Sequence, residues 1–163
     1  MANHTTNCLQ LLDGSDLGAV LAPYRDKSGD LDFNTILPLP PGGDPGEVWG
    51  TKRNSYSGAL QHDGTRFWFE TAWSPPLRVV EVLAEVTERP FLLEYADEQF
   101  IFAGWFAVAP GRSMDVRSDG ENVPRTLLRS LELEEKWDAL FSRRSETLSP
   151  WDEAPPAPWD APF

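Results

Sequence analysis

The chain is nearly devoid of the residues that build cross-links and metal centres: one cysteine, Cys8, and two histidines, His4 and His62, in 163 residues. A single thiol cannot close an internal disulfide, and no Cys or His pair has metal-ligand spacing, so neither a disulfide scaffold nor a structural zinc site organises this sequence. Cys8 reads as a small buried hydrophobe near a strand. No run of ~18 apolar residues occurs. The opening Met1-Ala2-Asn3-His4-Thr5 lacks a basic stretch followed by an apolar one, so neither a membrane span nor a secretory signal is expected. Positive charge is scarce as well: 14 Lys and Arg stand against 26 Asp and Glu, a net charge of −12. Residues 131–163 hold eight acids against three bases and residues 1–130 hold 18 against 11, so both parts are acidic. Counterion-release binding of duplex DNA needs several clustered Lys or Arg, so a general nucleic-acid groove is disfavoured while a local basic strip is not.

What is present is a sequence rich in aromatics and proline, long enough for one core plus a tail. Asn7 to Leu12 reads as a first strand stopped by Asp13-Gly14. A helix capped by Ser15 or Asp16 follows, with Leu17, Val20, Leu21 and Tyr24 on one face, ending near Asp26. Leu31 to Leu39 enters a Pro/Gly loop. Glu47 to Ser57 is expected to hold a short strand around Trp49-Gly50-Thr51-Lys52. Thr65 to Ala72 alternates strictly, with Phe67, Phe69 and Thr71 pointing one way and Arg66, Trp68 and Glu70 the other. Ser74-Pro75-Pro76 opens a helix whose buried stripe is Leu77, Val80, Leu83 and Ala84. Pro90 to Tyr95 and Phe100 to Val108 form a hairpin, the second strand apolar on both faces and therefore covered on both sides or aromatic on an open one. Strand, helix, strand, strand, helix, strand, with one added strand, is the pattern of an α+β ferredoxin-like antiparallel sheet with helices on one face. After Pro110 a polar connection leads to one helix, about Arg125 to Arg144. Its stripe of Leu133, Trp137, Leu140 and Phe141 would pack on the body or join a second copy in a homo-oligomer. The expected division is residues 1–110 for the ferredoxin-like domain, 111–144 for linker and C-terminal helix, and 145–163 for a disordered acidic tail.

Trp49-Gly50-Thr51-Lys52, Thr71-Ala72-Trp73-Ser74-Pro75-Pro76, Tyr95 and Phe102-Ala103-Gly104, with Phe33-Asn34 and Ile36 to Pro38 ahead of them, give residues 31–106 the order and spacing of a known family. The chain resembles the YubB-type ferredoxin-like family of plasmids and phages. The resemblance implies the fold, a mobile-element origin and hence a bacterial cytoplasm, without naming an activity. The chain departs from the family at Arg53, where members often carry an aromatic residue, and at Asn7-Cys8, where they carry Asn-Trp-Cys.

From Ser145 onward there are four carboxylates, five prolines and no Lys or Arg, a composition that stays extended and solvated. Trp159, Asp160, Pro162 and Phe163 close the segment with a ring and a carboxylate on one residue, suited to a pocket with an apolar floor and an arginine rim. This end is similar to the acidic Pro-Phe tip with which bacterial single-stranded-DNA-binding proteins recruit DNA replication and repair enzymes.

Catalysis has little support. Gly50-Thr51-Lys52 lacks the preceding glycine of a phosphate loop, and no cofactor, metal or catalytic residue is assigned. A binding sheet fits better, with Trp49, Trp68 and Trp105 to stack unpaired bases and Lys52, Arg53 and Arg66 to contact phosphates. Trp73 reads as a structural wedge. The expectation is a non-enzymatic phage or plasmid accessory protein. It would bind single-stranded DNA through the sheet and recruit host or phage DNA replication and repair proteins through its tip. The alternative is an acidic anti-defence protein that occupies a host protein's nucleic-acid site.

Overall fold

The computed structural model describes residues 3–141. Trp159, Asp160, Pro162 and Phe163, and the segment 145–163 that carries them, lie outside the described residues. The chain runs β1 (His4–Leu11), α1 (Leu17–Leu21), α2 (Phe33–Ile36), α3 (Pro45–Val48), β2 (Tyr56–Leu60), β3 (Arg66–Ala72), α4 (Leu77–Thr87), β4 (Phe91–Asp97), β5 (Ala103–Ala109), β6 (Arg112–Ser118), α5 (Arg125–Ser130) and α6 (Glu134–Phe141). The six strands form one sheet in the order β2-β3-β1-β4-β5-β6, and every pairing is antiparallel. Its first four strands have the ferredoxin-like order, and the β5–β6 hairpin extends the β4 edge.

Alternation in β3 sorts its side chains as its sequence predicts. Phe67, Phe69 and Thr71 are buried, while Arg66, Trp68 and Glu70 are half-buried on the opposite face. The first face packs on α1, α2 and α4: Leu9, Phe67, Phe69, Leu93 and Phe106 meet Leu17, Leu21, Phe33, Val79, Val80 and Leu83. Asp16 caps α1 by accepting from the Gly18 amide at 2.9 Å. In α4 the missing amides of Pro75 and Pro76 cost nothing at the entrance, and Glu88 ends it in a left-handed conformation with its amide bonded to the Ala84 and Glu85 carbonyls.

Helices are not confined to that face. The other one carries a second core, in which Cys8, Leu92, Ala96, Ala103, Trp105 and Ala107 meet Val123, Leu127, Leu128, Leu131 and Trp137 of the C-terminal layer. The two-sided apolar pattern of residues 100–108 has this cause: β5 is interior and covered on both sides.

Four expectations are corrected. Residues 47–57 do not begin as a strand. Asp44 accepts from the Gly46 amide and Pro45 opens the helical turn α3, an N-cap and N1 pair that dominates the local choice. Residues 112–118, read as a polar connection, are β6, whose residues are exposed or half-buried because it is the edge strand. A two-residue turn with Gly111 at φ +78° joins it to β5. The sheet therefore crosses the boundary drawn at residue 110. Finally, the single helix from Arg125 is broken into α5 and α6 at Glu132, which adopts φ +58° while the Leu133 amide bonds to the Leu128 carbonyl. Of the expected stripe, Trp137 is buried and Leu133 and Phe141 pack on the second core, while Leu140 is exposed.

Candidate functional site

Two sequence segments about twenty residues apart lock together at one end of the sheet. Trp49, at the end of α3, is buried edge-on against Phe33 with ring centroids 5.6 Å apart, and its indole N–H donates to the Leu37 carbonyl at 2.7 Å. Gly50 follows at φ +76°, a conformation open to glycine without strain. Thr51 then donates its hydroxyl to the Ala72 carbonyl at 2.8 Å, and Ser74 donates its own to the Gly50 carbonyl. Thr71 Oγ1 donates to the Ser74 carbonyl at 2.7 Å and accepts from Asn7 Nδ2 at 3.0 Å. Hydroxyls thus satisfy the carbonyls of an irregular crossing that no ladder could serve.

Between these bonds Trp73 is left outside. It adopts φ +75°, held by its amide bond to the Asn3 carbonyl at 2.8 Å, and its side chain is 45% exposed. Lys52 Nζ lies 5.5 Å from its ring centroid. Gly46, Gly50, Thr51, Lys52, Trp73 and Ser74 line an open cleft of about 300 Å³ here. A bulky residue in the left-handed region costs on the order of 1–3 kcal/mol, and such residues cluster at binding sites. Nearby, His4 Nδ1 hydrogen-bonds the Tyr56 hydroxyl and lies 3.9 Å from Glu70 Oε2. Burial, then the charge of Glu70, pushes the Tyr56 hydroxyl above its usual range, while Arg53 opposes the shift. Tyr56 therefore stays protonated at neutral pH and is no base. His4 and Tyr56 had no assigned role in the sequence reading, and Trp73 had been read as a wedge; its exposure depends on a backbone angle that residue spacing does not encode.

The nominated stacking platform does not form. Trp49 sits in one core and Trp105 in the other, 4% and 5% exposed on opposite sides of the sheet. Trp105 donates its indole N–H to Glu94 Oε2 at 3.2 Å. Arg66 is committed internally as well, with Nη2 at 3.0 Å from Glu94 Oε1 and 2.8 Å from Ser130 Oγ. Its guanidinium lies 4.9 Å over the half-buried Trp68 ring. Only Lys52 and Arg53 of the six are exposed.

Residues 49–138 match the family described as the ferredoxin-like domain in Api92-like proteins. The chain belongs to that family. No curated protein and no solved structure matches it. In this Api92-like chain the matched region begins at the buried Trp49 and ends just after the buried Trp137, so it takes in the cleft except Gly46 and most of the second core, but leaves out β1 and its Cys8.

The network around Glu94 clasps the C-terminal layer to the sheet. Glu94 is buried beneath α5 and also accepts from Ser130 Oγ at 2.6 Å. Burial outweighs its hydrogen bonds and Arg66, and its pKa is raised from 4.5. The adjacent Cys8 thiol is pushed up to about 12 by burial, so it is not a thiolate nucleophile at neutral pH. Because folded Glu94 holds its proton more tightly than in the unfolded chain, wild type loses stability from this group as pH rises from 4.5 through the folded pKa. Glu94→Gln abolishes that titration. The stability difference between variant and wild type should therefore move in favour of Gln across this window and level off above it. Denaturant unfolding at successive pH values measures it; a difference moving toward wild type would overturn the reading. Among the described residues no helix is long and apolar enough to cross a membrane, and no group of His, Cys, Asp and Glu has the makings of a metal site.

Proposed function

We propose that this protein is a non-enzymatic accessory protein in phage or plasmid DNA metabolism that works chiefly through protein contacts. Its acidic body and the acidic, aromatic segment 145–163 meet the basic surface of a DNA-handling partner. The observation that carries this reading is the disposition of charge. Arg66, Arg78, Arg89, Arg117, Arg125 and Arg129 are each engaged with a carboxylate of the same chain. Asp16, Asp26, Asp44, Glu47, Glu85, Glu88 and Glu135 are exposed. The field of such a body attracts cationic surfaces more than nucleic-acid strands. Trp159, Asp160, Pro162 and Phe163 supply the anchor, a ring and carboxylates for an apolar pocket rimmed by arginine.

Single-stranded DNA binding is the second reading, moved from the sheet to the loop before β2, where the exposed pair Lys52 and Arg53 favours it. The two differ in salt dependence. A fluorescent single-stranded oligonucleotide titrated with the intact chain should show affinity that falls no faster than about two phosphate contacts allow, a log–log slope of roughly −1.4. The chain truncated after Arg144 should behave the same way. A slope of several contacts would establish a strand-binding groove and overturn the protein-contact reading of the body. For the segment, purified host proteins that bind the acidic Pro-Phe tip of single-stranded-DNA-binding proteins should be captured by the intact chain. Deletion of Phe163 should abolish capture, and equal capture without it sinks the recruitment role.

A further inference from the structure

We propose that the cleft between Lys52 and Trp73 is a binding site for a single nucleotide unit, its base stacked on Trp73 and its phosphate held by Lys52. The cleft's volume, about 300 Å³, is at the lower end of small-ligand sites and suits a ligand of this size. Its wall is an exposed indole whose backbone is kept in the left-handed region by the Asn3 and Ser74 hydrogen bonds. A tryptophan serving only as a wedge would be buried, whereas 45% of this one faces solvent. Its floor includes Gly46 and Gly50, which leave backbone open to a flat ring. Among the described residues no carboxylate pairs with Lys52. Its ammonium instead rests 5.5 Å from the indole centroid on a flexible stem that can swing to a phosphate. Arg53, also exposed and following it in the chain, extends the positive rim. A planar π surface beside an unneutralised cation selects a ligand that is flat and aromatic at one end and anionic at the other, as a nucleotide is. The unit would come either as a free mononucleotide or as one residue of a single strand.

This site is independent of partner capture through segment 145–163, so the two proposals fail separately. The test follows the Trp73 indole N–H resonance by NMR while adenosine 5′-monophosphate, adenosine, inorganic phosphate and a short single-stranded oligonucleotide are titrated in turn. The monophosphate should shift the resonance and adenosine should do so more weakly and without salt dependence. Trp73→Gly should weaken monophosphate binding, followed by calorimetry, about tenfold or more. Since glycine accepts φ +75° freely, that variant should unfold no earlier than wild type, which separates loss of binding from loss of fold. Lys52→Ala should remove the salt dependence. Equal affinity per nucleotide for monophosphate and oligonucleotide supports the free nucleotide, and a much tighter oligonucleotide supports the strand. No shift with either, the same shift with phosphate alone, or full binding by Trp73→Gly overturns the proposal.

Discussion

Gly104→Val should abolish cooperative folding, and Gly104→Ala should cost about 3 kcal/mol, at the upper end of what overpacking exacts. Gly104 lies in the covered strand β5, paired with Tyr95 on one side and Arg117 on the other. A Cβ placed there would stand 2.4 Å from the Val116 carbonyl oxygen and 2.7 Å from the Tyr95 hydroxyl. The hydroxyl has little room to retreat, since it donates to Asp115 Oδ1 at 2.5 Å and accepts from Arg117 Nε at 3.1 Å. The carbonyl belongs to the backbone of β6, so relief requires bending that strand off the ladder. Against a total stability of roughly 5–15 kcal/mol, the branched valine is beyond repair while alanine is not. Thermal and denaturant unfolding of both variants check this. Tyr95→Phe combined with Gly104→Ala should recover only part of the loss, because the carbonyl remains. A Gly104→Ala protein as stable as wild type would show that β6 yields easily.

The second large effect is expected at Trp137→Ala, a loss of about 3–5 kcal/mol. Trp137 is buried, its indole N–H donates to the Gly120 carbonyl at 3.0 Å, and the Arg125 guanidinium lies 4.6 Å from its ring centroid. It pins α6 to the loop that leaves β6, and with Leu127, Leu128 and Leu131 it roofs Trp105, Ala103 and Leu92. Truncation therefore loosens a whole layer as well as opening a cavity. Amide hydrogen exchange should accelerate in α5 and α6 well before α4, whose core lies across the sheet. Uniform acceleration in both layers, or a loss under about 1 kcal/mol, would show that the second core does not hold the C-terminal layer by this residue.

Much of this architecture is legible in the sequence where side-chain periodicity is strong. The alternation of β3, the stripe of α4 and the two-sided apolarity of residues 100–108 each state their environment, because burial on one or both faces dictates residue type. The errors fall where local chemistry overrides period. Asp44-Pro45 turns an apparent strand into a helical turn, and an edge strand such as β6 is polar enough to pass for a connection. Left-handed residues in general escape a pattern reading: Glu132 breaks a continuous apolar stripe, and Trp73 turns a supposed wedge outward. The site was half legible. Lys52 and Arg53 are exposed as a binding role requires, but Trp49 and Trp105 were nominated because aromatic residues on a strand look the same whether they face solvent or a second layer of helices.

The position of β1 sets a timetable. It lies in the middle of the sheet, between β3 and β4, yet it precedes both of them in the chain. Its neighbours are complete only after residues 72 and 97 have been made, so both edges of this apolar strand stay open until β3 is made and one of them until β4 is made. Closure of such distant pairs is slow, and an unsatisfied strand edge invites wrong partners in the interval. Slowing translation between residues 11 and 97 is therefore expected to lower the folded yield, because it lengthens the time Leu9 and Leu11 wait for both neighbours.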